Sequence, residues 1–326
     1  MAKVNGAAPV LPLALLAAVL VSVPAFSQYP QQGDGRRIGS TQRIPVGDSI
    51  KGGDMNIATG STDFAGEWVV YDEEERELGN FTGIPHNEAG RMRAETHDAS
   101  EWSIPEFQCR PHPLLAQWRA SGAIRIRKDV DPTNRAVTAY RITFVRGLDD
   151  RVIYLDGRPH PSEYAPNTWY GFSTGVFKGN TLVITTTHLK EGYFDWNGNT
   201  VSDKAKVTEW WVRHGDFLTV IAMLDDPVYL TEPFMQSISY KLDPHTEVEY
   251  FPCTVIDENT TANLPHHLPG KNPYLKEYAE DKGIPYEAAR GGAETMYPEF
   301  RAKLKTLSSK DEKQEDRVAG AARANK

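Results

Sequence analysis

The chain has 326 residues and a formal net charge of −8; 40% of its residues are hydrophobic and 25% are charged. That length is ample for one large core or two modest domains, and the balance is that of an ordinary globular protein. The acidic total, with no basic footprint along the chain, excludes a nucleic-acid binder.

Met1 to Ser27 reads as a secretory signal: Lys3 gives a positive start, Val10 to Val23 is apolar, and Ala25-Phe26-Ser27 fits a small-x-small cleavage site. The apolar run is short for a membrane span, so no integral membrane segment is expected after its removal. The expected address is the bacterial periplasm or the outside of the cell. Residues 28–62, rich in Gly, Gln, Ser and Asp, read as an exposed arm.

Asp63 to Tyr71 is the first expected strand and opens a barrel domain over 63–260. An insertion over 73–122 comes next, with Pro85, Pro105, Pro111 and Pro113 and a short helix near Leu114 to Ala120. It is placed to cover one mouth of the barrel, where pockets tend to sit. Arg125-Ile126-Arg127-Lys128 alternates as a solvated strand face.

From Val137 to Phe251 the chain is a series of short strands. Val137–Arg146 and Arg151–Leu155 are followed by Trp169–Phe177, paired with Thr181–Thr187 across Lys178-Gly179-Asn180. Lys206–Arg213 pairs with Asp216–Met223 across His214-Gly215, and Phe234–Leu242 with Glu247–Phe251 across Asp243-Pro244-His245. Consecutive hairpins and the lack of a helix-length run predict antiparallel pairing, and closure hides the apolar face and the strand edges. The fold class is therefore mainly β: an antiparallel barrel, or a sheet folded over into a sandwich, with a long covering insertion and C-terminal helices.

Alternation assigns faces. In Lys206–Arg213, Val207, Glu209, Trp211 and Arg213 share one side and Thr208, Trp210 and Val212 the other. A ligand cavity would accept Glu209 or Arg213 beside Trp211; a strand with one Trp packed and the other covered by a loop is the plainer alternative. Cys109 precedes the strands and Cys253 comes after them, which predicts one long-range disulfide in an oxidising compartment. Residues 261–326 form a helical extension and tail, with Met296, Phe300 and Leu304 spaced along one helix face.

The sharpest polar cluster is Asp156-Gly157-Arg158-Pro159-His160-Pro161. Gly permits a tight turn and the two prolines stiffen the residues beside His160. His160 would transfer a proton, Asp156 orient it and Arg158 clamp an anion; the alternative is a turn in which Asp156 caps backbone amides. Trp169, Tyr170 and Ser173 come next, with Gly171 allowing close approach. Ser173 is not in a Gly-x-Ser-x-Gly elbow. His188, Asp195 and Asp226 lie at strand ends and join Trp211 as ligand-binding candidates. Histidine spacing gives no metal site, and no nucleotide-binding strand–Gly loop–helix unit occurs, so no cofactor is expected.

Gly66-Glu67-Trp68 resembles the opening strand of lipocalin-like, or calycin, proteins. With Asp156 to Pro161, with Trp169-Tyr170-Gly171-Phe172-Ser173-Thr174-Gly175 and with Asp226-Pro227, the chain over about 63–260 also resembles a group of uncharacterised secreted bacterial proteins. The calycin resemblance implies a barrel end closed by Trp68; neither resemblance implies an activity. The leading functional expectation is a secreted barrel that binds a small molecule in an aromatic cavity. The alternatives are a cofactor-independent lyase, hydratase or isomerase using His160 and Asp156, and a structural or interaction module.

Overall fold

The computed structural model describes residues 62–73, 81, 83–98, 108–120, 122–145, 147–194, 198–248, 253, 266–300, 302–304 and 306. The expected signal and most of the arm, Asp195 and the greater part of Glu247–Phe251 lie outside these residues.

Nine strands close into a barrel: β1 (Gly66–Glu73), β2 (Ala123–Val130), β3 (Val137–Phe144), β4 (Arg151–Tyr154), β5 (Phe172–Lys178), β6 (Thr181–Thr187), β9 (Lys206–His214), β10 (Phe217–Asp225) and β11 (Phe234–Leu242). Two short strands, β7 (Gly192–Tyr193) and β8 (Thr200–Val201), pair separately. The order around the wall is β1-β11-β10-β9-β6-β5-β4-β3-β2, and β1 closes the ring by pairing with both β2 and β11.

One seam departs from the expected antiparallel wall. β4 and β5 run parallel, with Ile153 opposite Ser173 and Tyr154 opposite Thr174. Residues 155–171 supply the crossover that a parallel pair requires, and no helix forms within them. The barrel is therefore mixed. The crossover also starts β5 at Phe172 rather than Trp169, so Trp169 and Tyr170 stand in the turn that leads into the strand. Gly171 makes that turn possible. Its φ is +66°, and a Cβ there would lie 2.4 Å from the Thr187 carbonyl oxygen.

The two-residue period decides the core. On β9, Val207, Glu209 and Trp211 are buried while Thr208, Trp210 and Val212 are only partly covered; β6 buries Leu182, Ile184 and Thr186. Leu182, Ile184 and Trp211, with Ile124, Ile142, Phe144, Ile153, Val220, Ile238 and Tyr240, form the barrel cluster. Trp68 is fully buried, donates its indole N–H to the Phe64 carbonyl at 3.0 Å and carries the Arg213 guanidinium 5.0 Å from its ring centre. Phe64 meets Trp211, Tyr140 and Phe177.

Helix α1 (Glu88–Glu95) is capped by Asn87, whose side chain accepts from the Gly90 N–H. Helix α2 (Leu114–Ala120) coincides with the expected helix. Leu114, Leu115 and Trp118 fall on one side of it, and all its described side chains are buried. Leu114 and Leu115 join a second apolar cluster with Leu189, Phe194, Val207, Leu224 and Phe234, while Trp118 enters the barrel cluster. The disulfide Cys109–Cys253, with Cα atoms 5.6 Å apart, precedes α2. C-terminal helices α3 (Glu277–Lys282) and α4 (Tyr286–Ala289) precede a single 3-10 turn, Ala293–Met296. The expected apolar face is only partly realised: Phe300 is buried but Met296 is 64% exposed.

Candidate functional site

Four strands bring polar side chains to one level inside the barrel. Arg151 of β4 and Glu209 of β9 are 1% and 0% exposed and pair in a two-point fork, Nη1 to Oε1 at 3.1 Å and Nη2 to Oε2 at 2.5 Å. Ser173 of β5 and Thr186 of β6 sit opposite each other in register and both face inward. The guanidinium donates from Nη2 to the Thr186 hydroxyl at 3.0 Å and from Nε and Nη2 to the Ser173 hydroxyl at 3.3 and 3.2 Å. The two hydroxyls are 2.8 Å apart. Burial strips these charges of water, and the fork with its hydroxyls replaces that solvation.

Trp118 completes the site from α2. Its indole N–H donates to Glu209 Oε1 at 2.5 Å. Its ring stands edge-to-face with Phe144, Trp211 and Tyr240 at centroid distances of 5.1, 5.6 and 6.1 Å, and Arg151 lies 5.8 Å from its centre. The Tyr240 hydroxyl donates to the Trp118 carbonyl at 2.8 Å, and Gln236 donates to the Leu115 carbonyl at 3.1 Å. Among the described residues, α2 thus fills the level of the lumen around Trp118. The crevice beside Trp118, lined by Val220, Ala222, Gln236 and Ile238, has no room for a water molecule.

Ser173 and Trp211 are the sequence candidates that reach this site. Tyr170 lies near it: its hydroxyl accepts from Gln117 Nε2 at 3.4 Å and its ring is 5.8 Å from Phe144. Trp169 packs against the barrel cluster from the side, with Lys190 Nζ 5.2 Å from its centre.

The other candidates are placed elsewhere. Asp156 and Arg158 pair with each other on the exposed crossover, and Arg158 lies 3.7 Å over the Tyr154 ring. That guanidinium holds the Asp156 carboxyl below its ordinary range. His160 is not oriented by Asp156. Its Nε2 meets Thr174 Oγ1 and its Nδ1 meets Thr187 Oγ1, each at 2.8 Å. His188 joins it through the same Thr187 hydroxyl, Nδ1 to Oγ1 at 2.8 Å, and binds the Ser162 carbonyl through Nε2 at 2.8 Å. A carbonyl only accepts, so His188 donates from Nε2 to Ser162. Burial, then His188 and Lys206, lower the pKa of His160. The chain ties the crossover to the outside of the barrel, because Thr174 and Thr187 each come directly after an inward residue.

Asp226 is buried. It accepts from Ser202 N and Oγ at 2.7 Å each, and from Val228 N at 2.9 Å. Among the described residues no group of three or more His, Cys, Asp or Glu is placed to hold a metal, and no helix is long and apolar enough to cross a membrane.

Sequence reading missed Arg151, Thr186 and Trp118. The available signal was alternation: Arg151 shares its face with Ile153, and Thr186 with Ile184, so both are directed inward.

No protein-family model, curated protein or solved structure matches the chain. The closed nine-stranded mixed barrel accords with the general lipocalin-like class and assigns no family.

Proposed function

We propose that this chain is an exported small-molecule-binding barrel whose binding groups are those of the lumen. The observation that carries the reading is the Arg151–Glu209 pair, set with Ser173 and Thr186 among aromatic side chains. Closing a barrel does not require it. Replacing such a pair by apolar residues of similar volume is commonly neutral or stabilising by about 1–4 kcal/mol. A charged fork at this depth suits recognition of a polar group better than it suits packing. The expected signal at Met1 to Ser27 and the Cys109–Cys253 bond support export to an oxidising compartment.

The test is mass spectrometry of the natively purified protein, compared with the double variant Arg151→Met/Glu209→Leu. The wild type is expected to release a bound small molecule on denaturation, and the double variant to stay folded and lose it. A wild-type protein free of bound small molecules, and unshifted in melting temperature by a broad metabolite screen, would leave the barrel as a structural module.

A further inference from the structure

The lumen already contains an occupant, and the occupant belongs to the chain. Seven-residue α2 is too short to be stable alone, since isolated helices are marginal below about 12–15 residues. It is held by the barrel. Gln236 and Tyr240 donate to its carbonyls, Trp118 donates to Glu209, and its described side chains are all buried. On one side Gly122, at φ +64°, links it to β2; on the other Cys109 is fixed to Cys253. The seating of α2 is therefore set by these barrel contacts and the disulfide on its approach, not by the helix itself.

We propose that α2 is an internal stand-in for the ligand, and that the molecule taking its place is a planar aromatic compound bearing one N–H or O–H donor. This rests on the lumen being the binding site. The chemistry is set by what Trp118 satisfies. Glu209 is held on one side by the Arg151 fork and takes its remaining close donor from the indole at 2.5 Å. A replacement without a donor leaves Oε1 with only the longer 3.1 Å hydrogen bond from Arg151 Nη1 in a dry interior, where a lost hydrogen bond is penalised. A second anion would face the Glu209 carboxylate. Phe144, Trp211 and Tyr240 present edges and faces around the ring, which selects a flat aromatic body. Because the ligand competes with α2, its apparent affinity is reduced by the fraction of molecules in which the helix is seated.

Indole and 1-benzofuran, which share a shape but differ in the N–H donor, provide the test by calorimetric titration of the full chain. Wild-type protein is expected to bind indole at one site, about tenfold or more tightly than benzofuran, as one hydrogen bond of about 1.4 kcal/mol requires. Trp118→Ala is expected to bind indole about tenfold more tightly than wild type, because the competitor is gone. Should that variant fail to fold, Trp118→Phe keeps a ring without the donor and is expected to show the same direction of change. Arg151→Met/Glu209→Leu should erase the preference for indole. Equal affinity for the two probes in wild type would overturn the proposal. So would binding by the Trp118 variants with none by wild type, which makes Trp118 an ordinary core residue. A co-purified ligand lacking an aromatic ring or a donor would overturn the ligand class while leaving the lumen as the binding site.

Discussion

At the scale of single residues, two partly buried histidines lead this protein's response to acid. His97 is held down to about 4, first by burial and then by His266; His266 is likewise held to about 4, by burial and then by Arg93. Among the described residues His97 Nδ1 is buried without a hydrogen-bond partner, so no hydrogen bond rewards a proton added there. Unfolded histidines titrate near 6.5. Between 6.5 and about 4 the unfolded chain therefore binds more protons than the folded one, and stability must fall as pH falls through that window. The carboxyls held low in the fold, Asp63, Asp156 and Asp243, begin from 3.8 and add their losses only at more acid pH. Urea midpoints measured from pH 7.5 to 4 should decline mainly below 6.5. His97→Gln/His266→Gln should flatten that decline, whatever it does to stability at pH 7.5.

At the scale of elements, the parallel seam between β4 and β5 depends on the crossover docking tightly against β6. Thr168 N–H donates to the His188 carbonyl at 2.9 Å, Lys190 N–H donates back to the Thr168 carbonyl at 2.8 Å, and Gly171 passes directly over Thr187. Two glycines of this crossover have positive φ but unequal surroundings. A Cβ on Gly171 meets backbone at 2.4 Å, whereas one on Gly157, at φ +74°, meets nothing within 4 Å. Gly157→Ala should cost about 1 kcal/mol, the conformational term alone. Gly171→Ala adds a backbone clash and should cost about 2–4 kcal/mol. Urea denaturation measures both, and amide exchange over 168–174 should rise in the second variant only.

At the scale of the whole molecule, the Cys109–Cys253 bond ties the approach to α2 to a position beyond the last wall strand, across a sequence separation of 144. Cross-links of long loops restrict the unfolded chain most, and loss of this bond should cost about 2–5 kcal/mol. Cys109→Ser/Cys253→Ser should keep its strand signature by circular dichroism and lower the urea midpoint. Adding reductant to the wild type should produce the same loss.

Much of the wall was legible in the amino-acid order, because a strand's period and its turns are local properties. Lys178-Gly179-Asn180 and His214-Gly215 each mark a tight turn, and the alternation of Val207, Glu209 and Trp211 assigns all three to one face. β6 and β11 match their expected limits for that reason, and two cysteines flanking the strands left a single pairing. What each inward face meets is a different matter, since it depends on register and closure. Arg151 and Glu209 are 58 residues apart and become partners only once β4, β5, β6 and β9 are neighbours in the ring. The parallel seam was hidden because the crossover is irregular and carries no helical signal. The separation of His160 from Asp156 was hidden because Thr174 and Thr187, on two other strands, take up the imidazole. Whether the lumen stood open or filled was beyond any local pattern: α2 was readable as a helix, but only closure of the barrel decides where a buried indole can find a carboxylate.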